Sequence, residues 1–262
     1  MRLPHRTLSL LLLAVAAPLS AHDTWLLADP AGVAGIPRQL ALSSGMAFPK
    51  PEYAPLPERV ERAWGGRAGA WQALPPPKRG AHALVFRPPA VAGPAAYAVL
   101  TLPKQLDMDL AEVEHYFDEI HAGPALRQHW QQQPEPRRWR EQYRKHSKAL
   151  VTVAGQCPEL GEQALGLGLE LLLEGDICAL RPGEPLRVRA LQGGVAKAGL
   201  SLALVGAGGR EQANVSTDAE GRAQFRLPAA GAWLLRATDL RPATVPGLDW
   251  QSDFTTLTFR VH

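Results

Sequence analysis

A histidine at the start of a chain offers two adjacent nitrogen ligands, its imidazole and its α-amine, and together they can chelate one transition-metal ion. His22 is placed to become such a residue. It follows Leu19-Ser20-Ala21, where a small residue ends a segment that opens with Arg2 and Arg6, continues as an apolar run over 7–17, and is broken by Pro18. This is the layout of a secretory signal peptide, and it predicts cleavage after Ala21. The run is shorter than the about 20 apolar residues that a bilayer span requires; an uncleaved membrane anchor is the competing reading. A free α-amine has a reference pKa near 8, so a metal displaces its proton readily. Imidazole suits Cu, Ni and Zn. The plainer alternative is an exported chain that begins with His and binds nothing, because a tight site needs several ligands.

The other histidines are weaker candidates. His115 and Glu119 stand four residues apart and share one face of a predicted helix, but no third ligand accompanies them, and a solvated face is by several-fold the commoner explanation. His121 falls on a different face. His129 and His146 sit among Arg and Gln and are expected to be exposed. His82 precedes an apolar strand and His262 is terminal. Trp130 and Trp139 offer stacking surfaces, although packing is the commoner use of such rings. The sequence holds no nucleophile elbow, phosphate-binding loop, dinucleotide fingerprint or HExxH motif. Nothing in it makes a positive case for a hydrolase or a nucleotide enzyme.

Charge and cysteine content narrow the setting. The 262-residue chain has a formal charge of +3, and losing Arg2 and Arg6 with the leader leaves +1. That balance gives no electrostatic argument for nucleic acid. Beyond the leader, no stretch is apolar enough for a transmembrane segment. Cys157 and Cys178 are the only cysteines. In an oxidising compartment such as the periplasm, two cysteines most simply form a disulfide. In the chain-entropy model, closing a loop of this length stabilises by about 3 kcal/mol. A thiolate metal pair is the alternative, without CxxC spacing to support it.

The elements that must position these residues read as mainly β. Short apolar stretches at 24–28, 40–43, 83–86 and 96–102 are separated by Pro and Gly, as in a sandwich or barrel. Residues 105–148 change character. Val113, Tyr116, Phe117 and Ile120 recur at helical spacing, a second helix is expected over 125–132, and the charged run 137–148 reads as a third. Strands return at 169–173, 186–190, 200–205, 223–227, 233–237 and 255–261, the spacing of an immunoglobulin-like sandwich. Residues 215–225 read as a strand, an Asp-to-Gly turn and a strand, a hairpin like that of transthyretin-like domains. The expected organisation is a signal peptide over 1–21, an N-terminal β-rich domain over 22–160 carrying the helical insertion, and a C-terminal sandwich over 161–262. The two β-sandwich modules would meet between 155 and 168.

Seven segments, in order, resemble the family of exported proteins known as domain of unknown function 4198. They are His22-Asp23-Thr24-Trp25-Leu26, Ser44-Gly45-Met46-Ala47-Phe48-Pro49, Trp139-Arg140-Glu141-Gln142-Tyr143 through Lys148-Ala149, and Leu180-Arg181-Pro182-Gly183. Thr217-Asp218-Ala219-Glu220-Gly221, Trp233-Leu234-Leu235-Arg236-Ala237-Thr238-Asp239 and Trp250-Gln251-Ser252-Asp253-Phe254-Thr255-Thr256-Leu257-Thr258 complete the set. Such proteins are described as nickel-uptake-like or as periplasmic components of cobalt transport. The resemblance implies a two-part β-rich protein with a role toward a transition metal (Ni, Co or Cu). Relatives carry His where this chain has Met46, and His-Met where it has Asp239-Leu240. By that resemblance Met46 and Asp239 become candidate metal ligands beside His22, with Asp253 a further one. Met sulfur favours Cu(I), whereas Asp favours harder ions.

The expected function is therefore a non-enzymatic periplasmic metal-binding or metal-delivery protein, with a membrane metal transporter as possible partner. A non-metal interaction module is the main alternative, and a brace-type copper oxidase or oxygenase a third. Mass spectrometry of the exported protein is expected to find His22 first and no thiols titratable before reduction. A start at any other residue removes the amine chelate.

Overall fold

The computed structural model describes residues 22–29, 39–67, 69–89, 93–152 and 162–261. The expected leader, Cys157, His262 and residues 155–161 of the expected junction lie outside the described residues. Strands take up 50% of the chain and helices 11%, so the fold is mainly β and sandwich-like. No helix among the described residues is long and apolar enough to cross a membrane.

The first half contains β1 (Asp23–Ala28), β2 (Leu40–Gly45), β3 (Val60–Arg67), β4 (Ala70–Ala73), β5 (Lys78–Arg79), β6 (Leu84–Phe86), β7 (Ala95–Thr101) and β8 (Lys104–Asp107). Helices α1 (Val113–Glu119) and α2 (Pro124–Gln131) follow, then β9 (Arg140–Val151). The second half contains β10 (Leu169–Glu174), β11 (Pro185–Gln192), β12 (Val195–Ala196), β13 (Ser201–Val205), β14 (Glu211–Ser216), β15 (Arg222–Arg226), β16 (Gly231–Pro242) and β17 (Trp250–Val261).

The two halves share one sheet. Its nine strands run in the order β14-β13-β16-β17-β9-β7-β3-β4, with β8 paired to β9 off that path. The halves join where β17 pairs in parallel with β9, Trp250 opposite Glu141 through Thr258 opposite Ala149. Four-stranded sheets cover both faces, β1-β2-β6-β5 on one and β10, β11, β12 and β15 on the other. Strand β7 shows why this requires an apolar sequence. Ala95, Tyr97 and Val99 enter a core with Leu26, Leu42 and Phe86. Ala96 and Ala98 enter the opposite core with Leu169, Leu171 and Val188. A strand buried on both faces reads as a continuous apolar run rather than an alternating one.

Two expectations change here. The third helix expected within 137–148 is instead the long central strand β9. Its charged side chains find partners on the sheet's two faces, and this overrides the helical look of an Arg-, Glu- and Lys-rich run. On one face Glu141 accepts from Tyr116 Oη at 3.0 Å, Trp139 Nε1 at 2.9 Å and the Ser252 hydroxyl. On the other, Lys148 forms a fully buried 2.7 Å ion pair with Glu170, which also accepts the backbone N–H groups of Leu165, Gly166 and Leu167. Nor is the expected hairpin at 215–225 a hairpin. β14 pairs with β13 in the central sheet and β15 with β11 in the outer one. The turn between them carries the chain across the sandwich. Asp218 fixes it by accepting from the N–H groups of Glu220 and Arg222.

Strand β1 stands edge-on against the central sheet. Ser44 spends its N–H and C=O on Tyr53, so Thr24, which lies opposite Ser44, points its own backbone groups away from β2. By the strand's period of two, Leu26 does the same. Their carbonyls would be buried without donors. Hydroxyls of the central sheet supply them: Ser147 Oγ at 2.8 Å and Thr256 Oγ1 at 2.7 Å donate to Thr24 O, and Thr258 Oγ1 donates to Leu26 O.

Thr258→Val keeps the shape of the side chain and removes that donor, and is expected to cost about 1–3 kcal/mol in urea unfolding. Thr256→Val is expected to cost less, because Ser147 still serves Thr24. The Ser147→Ala/Thr256→Val double variant is expected to lose more than the two single losses together.

Candidate functional site

The edge contact that anchors β1 also fixes the residue before it. Lys145 of β9 donates from Nζ to His22 O at 2.6 Å and to Thr24 Oγ1 at 3.1 Å. The His22 ring meets the ring of Tyr53 edge-on, with centroids 5.5 Å apart. Among the described residues, no side chain hydrogen-bonds its ring nitrogens. The β1–β2 register pairs Asp23 with Gly45; carried one step further, it sets His22 opposite Met46. Met46 is 47% exposed. Its loop docks on the turn at 207–209, where Gly209 N donates to Phe48 O at 3.1 Å. Gly209 has φ of +71°, and any Cβ there would strike Met46 O, so only glycine permits this approach.

Asp23 points the other way, into a small cleft between the helical insertion and the central sheet. Glu119, His121, Asn214, Arg236 and Phe254 help to line it. Arg236 bridges Asp23 at 2.9 Å and Glu211 at 3.1 Å, and Glu211 also meets His121 Nε2 at 2.9 Å. Burial raises the Asp23 carboxyl above its ordinary range, against the opposing pull of Arg236 and Lys145. Burial pushes Lys145 down to about 8, against the pull of Asp23 and Glu119. Asp23 and Glu211 are thus both engaged by Arg236.

The other two candidate ligands lie elsewhere. Asp239 and Asp253 face each other across β16 and β17, on the sheet face opposite β1. Asp239 pairs with Lys197 at 2.8 Å and Arg241 at 3.3 Å. Asp253 pairs with His146 at 2.9 Å and Arg241 at 2.9 Å. Burial would raise Asp253, but the His146 hydrogen bond and the Arg241 charge outweigh it and hold the carboxyl below its usual range. His146, expected to be exposed, is 2% exposed. The structure therefore splits the expected ligand set. His22 precedes β1 and Met46 follows β2, while Asp239 and Asp253 lie on the opposite face of the central sheet. Among the described residues, no three His, Cys, Asp or Glu side chains converge as a metal-holding group.

His115 is exposed and apart from this cleft lining, whereas Glu119 enters it. Trp130 and Trp139 are buried packing residues, with Trp139 stacked on Trp250 at 4.8 Å. His129 meets Trp250 edge-on at 5.3 Å. Sequence reasoning missed Lys145, Arg236 and Glu211. The available signal was the alternation of Trp139, Glu141, Tyr143, Lys145, Ser147 and Ala149, which puts all six on one face of a strand.

The Lys145 shift has a definite sign. The unfolded chain holds this proton up to about 10.5 and the folded chain only up to about 8. Between those pH values the unfolded state binds more protons, so stability rises with pH across the window. Lys145→Met lacks that rise. In urea unfolding at pH 7.5 and 10.5, the native protein is expected to gain about 3 kcal/mol relative to the variant.

The family model described as Domain of unknown function (DUF4198) matches residues 19–239. It spans His22 and Met46 and ends at Asp239, before β17. No curated protein matches the chain in sequence. The crystal structure of native alpha-2-macroglobulin from Escherichia coli spanning domains MG0-NIE-MG1 is similar at 11% identity, over 87% of this chain and 94% of that chain, with a TM-score of 0.23. A likeness at that score carries no argument. The family match extends over most of the chain, from the residues before β1 through most of β16, and on that ground the chain belongs to the DUF4198 family.

Proposed function

We propose that the mature chain is a non-enzymatic periplasmic protein that binds a transition-metal ion through His22 and hands it to a membrane transporter. The observation that supports this most is the setting of His22. Lys145 and the β1 edge hold its backbone at the end of a strand, while its ring nitrogens have no described partner. Removal of residues 1–21 would add an α-amine at the same point. An amine and imidazole held on a rigid strand lose less freedom on binding than the same pair on a loose terminus. Met46, one register step away, supplies a soft third donor that favours Cu(I) over Ni or Co. Asp239 and Asp253 are left out of this set, since each is paired with cations on the opposite face.

Both nitrogens must shed protons to bind, so affinity falls as pH drops through the amine and imidazole range. Calorimetry of mature protein with Cu, Ni and Co is the test. His22→Ala, or one extra residue ahead of His22, is expected to weaken binding at least about tenfold, as loss of a metal ligand does. Met46→Ala is expected to weaken Cu(I) most. Equal binding by the authentic and extended N-termini would rule out the chelate. Absence of micromolar binding would favour the non-metal interaction module.

A further inference from the structure

We infer that the outer face of the β1-β2-β6-β5 sheet holds a second site, for a small ligand carrying at least two anionic groups. Its position follows from register. Leu84 and Phe86 turn inward to the core, so Val85 turns outward. Lys78 pairs with Val85 across β5 and β6, and Arg87 continues the outward row two residues on. Together with Pro75, Pro76 and Arg79 they line a cleft of about 360 Å³. That volume is at the scale of a small-molecule site rather than of a protein interface.

The charges in this cleft are uncompensated. Lys78, Arg79 and Arg87 all line it, and no carboxylate among the described residues does. None of the three makes an ion pair or side-chain hydrogen bond to a described residue. In the cleft between the helical insertion and the central sheet, by contrast, Arg236 is matched by Asp23 and Glu211. The sequence is nearly balanced overall, with 28 Lys and Arg against 25 Asp and Glu, so a cleft lined by three basic residues and, among the described residues, by no carboxylate is a local concentration of positive charge. A polyvalent anion in the cleft would accept charge-assisted hydrogen bonds from these groups. Lys78 and Arg87, both on the outward row, face the cleft, and the Arg87 guanidinium suits the paired oxygens of a carboxylate or phosphate group. The prolines and Val85 form an apolar floor that does not compete for the anion.

Calorimetry of the mature protein with citrate and with pyrophosphate, at low and at physiological salt, tests the site. Binding of either supports it, and the tighter of the two identifies carboxylate or phosphate as the preferred group. Lys78→Gln and Arg87→Gln are each expected to weaken binding about tenfold. Arg138→Gln, which removes the same charge from an exposed position outside the cleft, is expected to leave it unchanged. Thermal unfolding of all three variants should match the parent, since the changed residues are exposed. Failure of both anions to bind below millimolar concentration, or equal weakening by Arg138→Gln, would overturn the assignment.

Discussion

The outward-facing edge of β1 sets the terms for much of the molecule. A strand with one edge paired and the other facing protein carries backbone groups that must find donors and acceptors away from water. Here they do not find another strand. Thr24 O and Leu26 O are served instead by Ser147, Thr256 and Thr258, and His22 O by Lys145. This lets β1 meet the nine-stranded sheet through its free edge while the sheet it belongs to packs its apolar side chains over the same face. It also explains hydroxyls on the face of β17, where apolar side chains would pack but could not donate. The same contacts hold the start of β1, and so hold His22.

The central sheet accepts buried charge where its partners converge from different parts of the chain. Glu141, 0% exposed, is raised by burial above the usual carboxylate range, against the pull of its three donors. Those donors come from α1, the residue before β9 and β17, so the carboxylate ties the helical insertion to the sheet. Lys148 and Glu170 do the same for the opposite face, joining β9 to β10 and the loop before it. Pairs of this kind seldom add stability over an apolar replacement, but leaving one partner alone is costly. They fix which segments meet, and a purely apolar contact would do so less strictly.

The two sheet faces divide the charged chemistry. On the β1 side, Asp23, Arg236, Glu211 and His121 form one chain of ion pairs that links the N-terminal strand, β16, β14 and the end of α1. On the other side, His146, Asp253, Arg241, Asp239 and Lys197 form a second. His146 Nδ1 and Thr255 Oγ1, beside each other in register, are buried without a described partner. The sheet between the two networks keeps them from sharing an ion.

Some of this was legible in the residues alone. Alternating and continuous apolar runs gave most strands, and 3.6-residue spacing of Val113, Tyr116 and Phe117 gave α1, because these patterns report on local burial. The family segments pointed to His22 and Met46, and the β1–β2 register places the ends of their two strands side by side, with Asp23 opposite Gly45. Tertiary structure decided the rest. Whether 140–151 is a helix or a strand depends on Glu141, Lys145 and Lys148 finding partners 20 to more than 100 residues away, which no local window contains. Whether Asp239 and Asp253 could join His22 depended on parity along β16 and β17 and on which sheet covers which face. Period two sends Arg236 and Asp239 to opposite sides of one strand, a difference of three residues in sequence and a whole layer in space. The meeting of the two halves in a single sheet rests on the parallel pairing of β9 with β17, a contact between segments more than 100 residues apart that is set by backbone hydrogen bonding and leaves no composition of its own in the sequence.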